Sequence, residues 1–228
     1  MSTLARRLKY YGIGFGIGLI IVFFFFGNRG CNWGPEARVK SIIADRVLIV
    51  NEADHSELKK KGITSEEMIK MIEDSDIDFG ESKKDDDLKV YKFHHNESDY
   101  VVSLPYESYI AELSFLRKDA FNFHNSKQGK GKILHFPKDK DFIYVPDNDA
   151  LNCQMKEMGF KDNNGLYEQI KSSGTIDFNK TNFDARPKAT HVICFRDKKN
   201  RNVEATTIWM KEKIEVVSFV IDSIVPCK

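Results

Sequence analysis

The sequence predicts an α+β protein: an N-terminal transmembrane helix followed by two repeated domains, each two helices packed on an antiparallel meander sheet. Three observations predict it. An uncharged apolar run extends from Tyr10 to Gly27. A stretch at 46–82 returns in diverged form at 141–181. In both copies helix-capping signals precede short β-branched and aromatic runs separated by polar turns.

The apolar run holds 18 residues, roughly 27 Å of helix against a hydrocarbon core of about 30 Å. Arg6, Arg7 and Lys9 precede it and predict a cytoplasmic N-terminus over 1–9, an anchor over 10–28 and a juxtamembrane segment over 29–45. The run ends in Phe23–Phe26 and then Gly27-Asn28-Arg29-Gly30-Cys31, without a small-x-small cleavage site. A retained signal anchor is therefore favoured over cleavage or lipidation of Cys31. Gly12, Gly14, Gly16 and Gly18 make two small-xxx-small pairs, which let a partner helix approach closely. The expected partners are the lipid bilayer and integral membrane proteins. The expected location is the cell inner membrane, single-pass, with the C-terminal domains periplasmic.

The 228 residues carry a formal net charge of +1, with 41% hydrophobic and 30% charged residues. That balance fits folded domains and gives no electrostatic argument for a nucleic-acid partner. The four cysteines stand at 31, 153, 194 and 227, with no C-x-x-C pair, so no zinc site is expected. The preferred disulfide is Cys194 with Cys227, both in the last structural unit, with buried free thiols as the alternative.

Beyond the run the chain duplicates itself. Val50 matches Val145, Leu58 matches Met155, Gly62 matches Gly159, Ile72 matches Ile170, and Ile77-Asp78-Phe79 matches Ile176-Asp177-Phe178. KVYKFHH (89–95) parallels THVICFR (190–196), and YIAELSF (109–115) parallels KIEVVSF (213–219). The repeats are 46–116 and 141–228, joined by a linker at 117–140. A first helix is predicted over 54–61 and over 148–158, each stopped by Gly62 or Gly159 as a C-cap. Thr64 and Glu67 form a capping-box pattern for the second helix. Met68, Ile69 and Ile72, then Leu166, Tyr167 and Ile170, mark its apolar stripe. Strands follow, in the second copy at 190–196, 202–210 and 213–221.

The start LARRLKYYGIGFGIGLIIVFFFFGNRGC, the Pro35-Glu36-Ala37-Arg38-Val39 turn-in and the later GTIDFNKT and KIEVVSFVI resemble single-span membrane proteins of Bacteroidota that carry one uncharacterised α+β domain. The tandem arrangement departs from that one-domain pattern. The resemblance implies a fold and a location and brings no catalytic residue. At the level of topology, two helices before an antiparallel sheet also resemble RelE-type ribonuclease toxins.

No nucleophile elbow, phosphate loop or zinc-binding helix motif is present, so no catalytic, cofactor or metal residue is assigned. His94, His95 and His191 fall at strand ends, and the copies do not share them, which points to surface or strand-end roles. Asp78 and Asp177 recur within Ile-Asp-Phe, which points to a structural role such as receiving a turn amide. The expected function is a non-enzymatic, membrane-anchored accessory subunit of a cell-envelope complex. The alternatives are a ribonuclease-like hydrolytic pair, which would depend on His95 or Arg196, or a periplasmic ligand-binding module.

Overall fold

The computed structural model describes residues 3–26, 34–83, 88–96, 98–105, 108–115, 129–138, 141–186 and 188–222. It divides into two compact units, Met1–Ser41 and Ile42–Lys228. Thr3–Phe26 forms helix α1 and Pro35–Ala44 forms α2. Proline in the first turn of α2 forgoes an amide that has no partner there anyway.

Among the described residues no helix is long and apolar enough to cross a membrane. A span takes about 20 predominantly apolar residues to cross a hydrocarbon core of about 30 Å. This overturns the expected transmembrane helix, with its signal-anchor and single-pass reading and its inner-membrane location.

The second unit opens with four aliphatic residues, Val47 to Val50, all buried, as suits a strand covered on both faces. They form β1 (Val47–Asn51). Asn51 caps α3 (Glu52–Lys61) by accepting from the Asp54 amide, and Gly62 ends it at φ 69°. Thr64 opens α4 (Ser65–Asp74) with a complete capping box to Glu67. Four strands follow: β2 (Asp76–Lys83), β3 (Leu88–His95), β4 (Ser98–Pro105) and β5 (Ile110–Phe115). After β6 (Lys130–His135) the plan repeats as β7 (Ile143–Tyr144), α5 (Asp149–Glu157), α6 (Asn163–Ser173), β8 (Thr175–Asn182), β9 (Thr190–Arg196), β10 (Asn202–Trp209) and β11 (Ile214–Ile221). The caps repeat as well: Asn148 and Asp162 accept at the starts of α5 and α6, and Gly159 takes φ 86° after α5.

The strands do not form two meanders. They form one 11-stranded mixed sheet in the order β2-β3-β4-β5-β1-β6-β8-β9-β10-β11-β7. This corrects the expectation of an anchor followed by two separate helix-and-sheet domains. In each repeat the first strand returns beside the last and runs parallel to it, β1 with β5 and β7 with β11. A meander has no parallel pair. The repeats then fuse because the segment read as a linker supplies β6, antiparallel to both β1 and β8. The second residue of β6 is Gly131, where a Cβ would stand 2.8 Å from the Phe178 ring, so only glycine admits that ring over the strand. Residues 117–128 of that segment lie outside the described residues.

Strand direction fixes where the helices lie. With β6 antiparallel to both neighbours, β8 runs parallel to β1 and opposite to β2. The second repeat is therefore turned over relative to the first, and the two helix pairs cover opposite faces. Side chains agree. Tyr100, on the first repeat's helix side, bonds through its hydroxyl to Ser75 at the end of α4, 2.7 Å apart. Ile49, Ile133 and Ile176 share the other face and join the cluster of Leu166, Tyr167 and Ile170 from α6. Both sheet ends are blunt. β7 is two residues long and soon meets Pro146, while the β2 pairing breaks between Asp78 and Lys83.

Candidate functional site

In α1 the side chains of Tyr10, Tyr11, Phe15, Ile17 and Ile20 are all exposed, from 54% to 77%. Gly12, Gly14, Gly16 and Gly18 sit among them, and a Cβ built on any of the four would meet nothing within 4 Å. The glycines therefore do not make room for a neighbour inside the described structure. They leave the α1 backbone open to approach.

The expected Cys194–Cys227 disulfide does not form, because Cys194 is a free thiol. It lies on β9 opposite Glu204, and burial pushes its pKa up, with the Glu204 and Asp177 carboxylates adding to the effect. Cys153 on α5 is the disulfide-bonded one. Cys31 and Cys227 lie outside the described residues.

The histidines are dispersed. His94 is exposed and bonds through Nδ1 to Asp99 at 2.6 Å, and Asp99 also pairs with Lys92 at 3.1 Å. His55 on α3 is held below its usual range by burial and by the charges of Lys132 and Lys59. His191 belongs to the interior and not to a strand end: it is fully buried between Phe183 and Trp209. Its Nε2 lies 3.4 Å from the Ser108 hydroxyl, which comes from the loop before β5 in the other repeat. A serine beside a histidine invites a nucleophile–base reading. Here Nδ1 meets no partner among the described residues, and Ser108 and His191 are both closed off from solvent. The pair fastens the seam between repeats. Arg46 secures the same loop, donating through Nη1 to the carbonyls of Ser108 and Ile110 at 2.5 and 3.2 Å. Sequence reasoning missed Ser108 and Arg46, since neither stands in a motif; only the parallel return of β1 beside β5 brings them there.

Asp78 and Asp177 do the same local work. Asp78 Oδ1 accepts from the Gly80 amide at 2.8 Å, and Asp177 Oδ1 from the Asn179 amide at 3.1 Å. Four residues on, Ser82 and Thr181 donate to the Asp78 and Asp177 carbonyls. Each aspartate thereby shapes the bulge at which its strand leaves regular pairing.

Among the described residues no group of three or more His, Cys, Asp or Glu side chains is placed to hold a metal ion. No family model, curated protein or solved structure matches the chain.

Proposed function

We propose that the chain is a non-enzymatic accessory subunit of a protein complex, joined to its partner through α1 and carrying the two-repeat sheet as its folded body. The observation that supports this is the contiguous exposed apolar surface of α1, where Tyr11 is 77% and Phe15 71% exposed. Apolar patches of that kind mark interaction sites. A helix apolar around its circumference is normally covered by other groups, and the bare backbone at Gly12 to Gly18 suits a second helix lying close against it.

Affinity isolation of the full-length chain, with the co-purifying polypeptides identified, tests this reading. The expected result is one partner in fixed proportion, lost from a Phe15→Asp, Ile17→Asp variant whose sheet still melts cooperatively. Recovery of the free chain alone, or a partner retained by that variant, contradicts it.

A further inference from the structure

Cys153 is disulfide-bonded and Cys194 is a free thiol. The chain holds four cysteines, so the partner of Cys153 is Cys31 or Cys227. Cys227 belongs to the same compact unit as Cys153, Ile42–Lys228, whereas Cys31 belongs to Met1–Ser41. The first repeat, 46–116, holds no cysteine.

Hydrogen bonds on both sides of Cys153 lead to the end of β11. Gln154, the next residue of α5, donates through Nε2 to Phe219 O at 3.3 Å. Glu157, one helical turn further, accepts at its carbonyl from Arg201 Nη2 at 3.0 Å. Arg201 adjoins Asn202, which holds Asp222 twice. Asn202 O accepts from the Asp222 amide at 3.1 Å, and Asn202 Nδ2 donates to Asp222 Oδ2 at 2.6 Å. The β7 pairing with β11 covers only Ile214 and Glu215, so this corner rests on side-chain bonds and not on a strand ladder. Cys153 is exposed there. Cys227 follows Asp222 by five positions, and five extended residues reach about 17 Å at most. Bridged cysteines need their Cα atoms about 5.5 Å apart. The chain beyond Asp222 is long enough to meet that need at Cys153.

We propose that Cys153 and Cys227 form a redox-sensitive clasp, which fastens the C-terminal end of the chain to α5. The S–S bond forms as each thiol gives up one proton and one electron. A small-molecule disulfide accepts both and leaves as two thiols, and reduction reverses the exchange. The loop closed by the clasp contains α6 and β8 to β11. Opening it frees the unfolded ensemble of most of the second repeat, which lowers the stability of the fold.

Peptide mapping of the full-length chain tests the proposal. The chain is equilibrated in a glutathione redox buffer, alkylated in denaturant and digested without reductant. The Cys153 peptide should be joined to the Cys227 peptide, with Cys31 and Cys194 alkylated. Thermal melts give a second readout. Dithiothreitol should lower the melting temperature of the parent by about 10 °C. Cys227→Ser should melt near the reduced parent and ignore dithiothreitol, whereas Cys31→Ser should respond as the parent does. A Cys153 peptide joined to Cys31, a Cys153 peptide recovered alkylated, or a Cys227→Ser variant that still responds to dithiothreitol would each overturn it.

Discussion

The imidazole of His191 lies 4.7 Å from the indole of Trp209, centroid to centroid, in a fully buried site. Phe183 meets it edge-on at 5.6 Å, and the Trp209 indole N–H donates to the Thr207 hydroxyl at 2.7 Å. Charging this imidazole is unfavourable, and burial lowers its pKa from 6.5 to about 4. In the unfolded chain it titrates at its ordinary value, so the unfolded state takes up the proton first as pH falls. The stability associated with neutral His191 is complete above about pH 6.5 and drains away toward pH 4, a loss of roughly 3 kcal/mol. Urea midpoints at pH 7 and pH 4.5, for the parent and His191→Gln, check this through Trp209 fluorescence. The parent should lose more stability between the two pH values than the variant; equal losses would remove His191 from the account.

Gly131→Val should act on both repeats at once. The new Cβ meets the Phe178 ring at 2.8 Å, and β6 is the strand that joins β1 to β8. Overpacking of this kind destabilises by about 1–3 kcal/mol. Calorimetry should show a lower melting temperature, and a broadened or split transition if the halves unfold apart. An unchanged thermogram would mean that β6 carries no coupling.

The helix caps predict matched losses. Thr64→Ala removes the acceptor for the Glu67 amide, and Asp162→Ala the acceptor for the Gly165 amide. Each should lower stability by about 1 kcal/mol. Thr64→Ser should be nearly neutral, because serine keeps the acceptor. Denaturant midpoints at constant m-value measure all three.

Thiol labelling separates the cysteines. Cys194 is half-buried with a raised pKa, and only the thiolate reacts quickly. Alkylation of the native protein at pH 8 should be slow at Cys194 and fast once the chain is unfolded. Cys153 should stay unmodified until a reductant opens its disulfide. Peptide mass mapping reads both sites, and labelling of Cys153 without reductant would refute its bonded state.

Local features were legible in the sequence. The Thr64–Glu67 box, the Gly62 and Gly159 caps and strands β9 to β11 follow from short-range chemistry, and they stand in the fold where those signals place them. Residue matches also exposed the repeat, whose two halves share one order of elements. What escaped was non-local. Lys130-Gly131-Lys132 read as solvated linker because glycine and lysine are poor strand formers, yet β1 and β8 impose a strand there from both sides. His191 read as a strand end because nothing in its own neighbourhood shows that Ser108, 83 residues away, closes over it. The apolar run at Tyr10 is plain in the sequence, but its hydropathy alone does not say what covers the helix.

A sheet that grows by adding repeats edge to edge has no inherent final size. The step from β1 through β6 to β8 could in principle be taken again beyond β7, since β7 stands to β11 as β1 stands to β5. Two small local features oppose an added strand at the two edges. Pro146 offers no amide to an incoming strand, and at the far edge the chain between Asp78 and Lys83 turns its amides back onto the Asp78 carboxylate. Each edge of the sheet thus carries its own guard against an added strand, where the same rule of addition, left open, would make a fibre.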